Sequence, residues 1–208
     1  MIPEFNEKQI QILQVAEQLF AEKGFDGTSI RDIAKQANIN VAMVSYYFGS
    51  KEKMLEALIL YRTSGLKLQL ETLYNESISP KEKINKLIEL YITRILANKC
   101  IYQILHFELT SKKREIDFKA FTEVKMKNFE FIKKIIHEGQ EKGEFRKDIN
   151  IFLIPSTILG PFFHFQMNRP QYESMLGISS DEAYDDYIRT ELIKHIQQTI
   201  QSLLLNEK

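Results

Sequence analysis

The sequence contains one cysteine, Cys100, and no tryptophan in 208 residues. A lone cysteine excludes an internal disulfide, so the fold rests on packing and suits a reducing compartment. Histidine is scarce too: His106, His137, His164 and His195 lack metal-ligand spacing, and no zinc or haem site is expected from them. There is no excess of either charge, because 28 Lys and Arg face 28 Asp and Glu. The whole chain therefore has no bulk attraction for a polyanion or an anionic membrane, and any nucleic-acid binding must come from a local patch. No segment approaches the roughly 20 apolar residues of a membrane span, and the opening MIPEFNEKQIQ lacks a signal-peptide run. A cytoplasmic protein without metal or cofactor is expected. A Gly-rich phosphate loop and a nucleophile–base pairing are also missing, so a helical enzyme built on His106 or His164 with a nearby carboxylate is the weaker reading.

What is present is helical periodicity. Hydrophobic residues make up 44% of the chain, enough for a core, and they recur at spacings of three and four almost throughout, without sustained alternation. The fold class expected is all-α: a three-helix head over residues 1–50 and a larger helical body over 51–208. Helices are predicted at about 6–23, from Thr28 and Ser29 to Ala37, 41–48, 51–74, 80–98, 101–112, 117–141, 150–167 and 183–205. Gly139, Gly143 and Pro170 are read as breaks, and Pro155 and Pro161 as the source of a kink.

Between the second and third helices stands Asn38-Ile39-Asn40. Asn38 tolerates the left-handed conformation that closes a helix, Ile39 can plug the angle between helices, and Asn40 can cap the next one. A short helix, tight turn and second helix is the geometry that lays a helix in the DNA major groove. In VAMVSYYFGSKEKM, Val44 and Phe48 form an inward i, i+4 pair, leaving small or polar groups (Asn40, Val41, Ala42, Ser45) to face base edges. Tyr46 and Tyr47 can donate phenolic hydroxyls to phosphates, Lys51 can add charge, and Thr28 can contribute from the start of the second helix. One of the pair can cover the core of the head instead, since consecutive helical positions point about 100° apart, and at least one is expected to touch phosphate.

These residues resemble the DNA-binding head of the TetR/AcrR family of bacterial transcription regulators. The pattern A-x-x-L-F-x-x-x-G-F from Ala16, T-S-I-R-D-I-A from Thr28 and Y-Y-F-G-S-K-E from Tyr46 occur in order over roughly residues 8–60. Asn38 and Asn40 stand where the family more often has glycine and serine, and Ser45 where tyrosine is more common. The resemblance implies a two-domain, all-helical homodimer whose heads bind successive major grooves and whose bodies bind a small molecule. It places Thr28, Tyr46, Tyr47 and Lys51 on phosphates and Asn40, Val41, Ala42 and Ser45 on the base side. It also implies a four-helix dimer seam built from the last two helices of each copy.

In the body, Ile188, Leu192, Ile196, Ile200 and Leu203 form one apolar stripe, a candidate seam for a partner helix. Tyr102, His106, Phe107, Phe121, Met126, Phe129, Phe163 and Met167 are candidates for lining an apolar effector cavity. Glu108 beside His106, Gln166 beside His164, and Cys100 are candidate orienting groups. The function expected is a ligand-responsive regulator of double-stranded DNA, a repressor released by an apolar effector. The alternative is an effector-free architectural DNA binder, whose body would be packed solid.

Overall fold

The computed structural model describes residues 4–111 and 114–206. Every extended element among them is helical, and the one β-type pairing is an isolated bridge between Phe145 and Leu205. The chain forms two compact units, one comprising the residues up to Lys67 together with Asn98–Met126, the other Leu68–Ala97 with the residues from Lys127 onward.

The first unit begins with α1 (Glu7–Lys23). Its N-terminus is a reciprocal capping box: the Asn6 side chain accepts from the Gln9 amide at 2.9 Å, and the Gln9 side chain accepts from the Asn6 amide at 3.0 Å. Then follow α2 (Ile30–Gln36), α3 (Val41–Phe48) and α4 (Lys51–Ser64). α1 contributes Ile12, Leu13, Ala16, Leu19 and Phe20 to a shared core, met by Ile33 and Ala34 of α2 and Val44 and Phe48 of α3. α4 adds Met54, Leu55, Leu58 and Ile59 to the same core. The unit therefore runs past residue 50, where the head was expected to end. It also takes in Ile101, Ile104 and Leu105 from α7 (Lys99–Ser111), and Phe121 from the start of α8 (Lys119–Glu141). The predicted long helix from Lys51 to about 74 is two helices, because Gly65, a poor helix former, separates α4 from α5 (Leu66–Asn75).

The second unit contains the rest of α5, α6 (Pro80–Ala97), the later part of α8, α9 (Ile154–Met167), α10 (Arg169–Leu176), α11 (Asp181–Tyr187) and α12 (Ile193–Leu204). A π-helical turn, Ile188–Leu192, joins the last two. α10 was not expected, since Pro170 was read as a break. The proline instead sits in the first turn of that helix, where its missing N–H costs nothing.

Most of the stripe expected to meet a partner helix is taken up by packing within its own chain. α12 lies against α6 and α9 of its own chain. Ile188, Leu192, Ile196 and Ile200 are buried there at 0–8% exposure, and of the five stripe residues Leu203 alone is open, at 44%. An apolar stripe says that a helix packs, not against which copy.

Candidate nucleic-acid interface

The helix-turn-helix is assembled by caps. Ser29 and Asp32 form a second capping box: the Asp32 amide donates to the Ser29 hydroxyl at 3.1 Å, and the Ser29 amide to the Asp32 carboxylate at 3.0 Å. The hydrogen bonds from the Ser29 side chain and backbone hold the Asp32 carboxyl below its ordinary pKa. α2 closes through Asn38, which adopts φ +52°, and the Ile39 amide returns to the Ala34 carbonyl at 2.9 Å. Asn40 is extended and caps α3 by accepting the Ala42 amide at 2.8 Å. α3 ends at Gly49, whose positive φ of +74° suits a residue without Cβ and whose N–H reaches the Ser45 carbonyl at 2.8 Å.

On α3 the inward pair is Val44 and Phe48, as the spacing predicts. Asn40, Val41, Ala42, Ser45 and Tyr46 are all exposed, Tyr46 at 81%. Tyr47 is half-buried and packs on the core, its ring centroid 5.6 Å from that of Tyr46. The adjacent phenols thus divide, one outward and one against the core. Met43 is exposed at 42% and escaped the sequence reading. Helical geometry alone finds it, because with Val44 and Phe48 inward, position 43 shares the outer side with Ala42 and Tyr46.

Thr28 and Lys51 are turned differently from expectation. Thr28 is 1% exposed, and its hydroxyl donates to the Leu19 and Gly24 carbonyls at 3.1 and 2.9 Å. A phosphate has no access to that hydroxyl here, because it ties the α1–α2 turn to α1. The Lys51 ammonium donates to the Phe25 and Thr28 carbonyls at 2.7 and 2.8 Å and lies 4.3 Å from the centroid of the Phe25 ring. Two of its three donors are engaged in holding that turn to the start of α4.

The same turn is gripped by Arg114. Its guanidinium donates to Glu108 of α7 and, at 2.6 Å, to Asp26, and it too lies 4.3 Å from the Phe25 ring centroid. Burial opposes the arginine's charge, but its hydrogen bonds to Glu108 and Asp26 more than offset it, and its pKa is raised. Glu108 is 4% exposed, and its second oxygen is buried without a hydrogen-bond partner among the described residues. Glu108 is thus engaged by Arg114, while His106 is exposed and takes part through its carbonyl, which accepts from Thr110 at 2.8 Å.

The expected effector residues are divided between the units. Tyr102, His106, Phe107, Phe121 and Met126 belong to the first, Phe129, Phe163 and Met167 to the second. Phe121 is buried in the core, whereas Phe107, Met126 and Met167 are exposed. The second unit has a groove of about 590 Å³ whose walls include Gly160, His164, Tyr172, Tyr187, Lys194 and His195. A smaller groove, about 360 Å³, runs between α5 and α6 beside Leu68, Leu73 and Leu90. None of the eight expected residues lines either groove. His164 pairs with the Tyr172 hydroxyl at 3.3 Å rather than with Gln166. Among the described residues no cluster of three His, Cys, Asp or Glu could hold a metal ion, and no helix is long and apolar enough to cross a membrane.

Comparison with known proteins agrees with this architecture. Residues 12–58 match the family model described as bacterial regulatory proteins, tetR family. Residues 80–200 match the tetracyclin repressor-like C-terminal domain. The chain is 35% identical over 142 residues to the probable HTH-type transcriptional regulator YttP of Bacillus subtilis, covering 65% of this chain and 66% of that protein. It is 31% identical over 150 residues to the HTH-type transcriptional repressor KstR2 of Mycolicibacterium smegmatis, covering 69% and 70%. The solved structure of the transcriptional regulator FadR from Bacillus subtilis, in complex with stearoyl-CoA, superposes with a TM-score of 0.71 over 93% of this chain and 98% of that one, at 19% identity. Regulators of this kind bind DNA and are not enzymes, which removes the helical-enzyme reading. With one model on the capped helix-turn-helix and another across more than half of the chain, this protein belongs to the TetR family of bacterial transcriptional regulators.

Proposed function

We propose that this regulator is a repressor that binds a palindromic operator as a homodimer, one α3 per half-site, and leaves it when a largely apolar small molecule occupies the body. The observation that carries the reading is the outer side of α3: on a helix capped at both ends, Val41, Ala42, Met43, Ser45 and Tyr46 stand exposed. Tyr46, flanking the groove, donates to phosphate, and Tyr47 and the third donor of Lys51 lie near the same strand. Relatives named as repressors support the sign of regulation, and the stearoyl-CoA held by FadR is an example of a long apolar ligand in this fold.

The effector acts by favouring a spacing of the two heads that misses successive major grooves, roughly 34 Å apart, and its leverage equals its differential affinity for the two states. Because the stripe on α12 is covered by its own chain, the seam falls on the outward sides of α9 and α12. There Gly160 and His164 share a groove with Lys194, His195 and Gln198, all exposed. A Cβ added at Gly160 would meet nothing within 4 Å, so that side is open to close approach by another helix.

Selection of duplexes from a random pool by the purified full-length protein, at low and moderate salt, tests the proposal. Enrichment of an inverted repeat with half-sites about one helical turn apart is expected. Binding without an enriched sequence would replace it with the architectural reading.

A further inference from the structure

Resting on the reading of α3 as the groove helix, we infer that it recognises its operator through thymine 5-methyl groups, contacted by Val41, Ala42 and Met43, rather than through hydrogen bonds to base edges. The helix, VAMVSYYF, contains no Arg, Lys, Asn, Gln, Asp or Glu. The side chains that fork onto guanine, bridge adenine or accept from cytosine are therefore missing from it. Asn40, just before it, is held as the cap of the helix, its side-chain oxygen accepting the Ala42 amide at 2.8 Å, which fixes its orientation along the helix end. Ser45 offers a hydroxyl that both donates and accepts, which discriminates poorly between bases.

What the helix does present is apolar. Val41 is 40% exposed and Met43 42%, with exposed Ala42 between them, so part of each apolar side chain is left open to solvent. The thymine methyl is the apolar feature that distinguishes one base pair from another in the major groove. Met43, unbranched and polarizable, can follow a methyl whose position shifts with local groove geometry.

The test uses the full-length protein and a duplex enriched from the random pool. Deoxyuridine replaces thymidine one position at a time, removing only the methyl. At one or more positions the affinity is expected to fall about fourfold per half-site, and about fifteenfold when both half-sites are changed. The salt dependence, set by phosphates, stays the same. In the Met43→Ala or Val41→Ala protein the ratio between thymine and uracil duplexes should collapse toward one at the position that side chain covers. Both residues are exposed, so thermal unfolding serves as the control for folding.

Unchanged affinity for every uracil-substituted duplex would overturn the inference and leave the regulator intact. A thymine preference that survives both alanine variants and Ala42→Gly would overturn it too, by assigning the methyls to other residues. If no duplex is enriched at all, the proposed function fails and this inference falls with it.

Discussion

Two helices of this chain, α3 and α12, are rich in apolar side chains and use them in opposite ways. On α12 the residues Ile193, Ile196, Ile200 and Leu204 are 0–5% exposed, covered by neighbours from the same chain. On α3 Val44 and Phe48 are covered and Tyr47 half so, whereas Val41, Met43 and Tyr46 are 40%, 42% and 81% exposed. The difference follows from length and neighbours. A helix of eight residues, wedged by its inner side between α2 and α4, has nothing in its own chain for the remaining sides. Apolar exposure is informative on α3 because the chain is able to bury such groups elsewhere.

Substitutions sharpen that contrast, beginning with the most damaging. Ile196→Glu places a carboxylate where the isoleucine is 1% exposed, and should cost about 4 kcal/mol or more in denaturant unfolding. The same change at Met43 should leave stability within about 0.5 kcal/mol while weakening DNA binding by at least about tenfold, because a carboxylate is brought toward phosphates. Should the two variants melt alike, the opposition between the helices is wrong.

Arg114→Ala would leave Glu108 buried without its cation, with an expected loss of about 3 kcal/mol by the same measurement. Asn40→Ala removes the cap of α3 and should cost about 1 kcal/mol, with DNA affinity falling as the helix frays at its exposed end. The smallest effect on folding belongs to Gly160→Trp. A Cβ there meets nothing within 4 Å in its own chain and the position is exposed, so stability should stay within about 0.5 kcal/mol, yet sedimentation should show monomers. A Gly160→Trp protein that sediments as a dimer would move the seam elsewhere.

Lowering the pH tests the second capping box. The folded pKa of Asp32 is lowered, so its contribution is present above the unfolded carboxylate value and is lost as pH falls through the folded one. Ser29→Ala should remove that part of the acid dependence.

Local chemistry made the helix-turn-helix readable in advance. Asn38, Asn40 and Gly49 do in the structure what their types suggest, because caps involve partners within four or five residues. Contacts with remote partners were not legible. The Thr28 hydroxyl has one acceptor four residues away, the Gly24 carbonyl, but its other acceptor is nine residues away, and Lys51 reaches a carbonyl 26 residues earlier. No sequence pattern announces such contacts, so the structural duties of both residues went unread. For α12 the periodicity was correct but left the partner open, since identical stripes serve a second copy and the parent chain equally well. Pro170 was ambiguous for a related reason: the same residue stops one helix and opens the next.

The core of the first unit has a consequence for how the protein is made. Ile101, Ile104, Leu105 and Phe121 complete a core begun by α1–α4, and they follow Lys67 in the chain by up to 54 residues (67 to 121). At roughly 5–20 residues per second, a ribosome takes about 3 to 11 seconds to cross that interval. During it the helix-turn-helix has been synthesised while part of the apolar surface of α1 and α4 is still unsealed. The unit is finished only after the segment between its two parts has emerged, so operator binding becomes available late in translation, when more than half of the chain is already outside the ribosome.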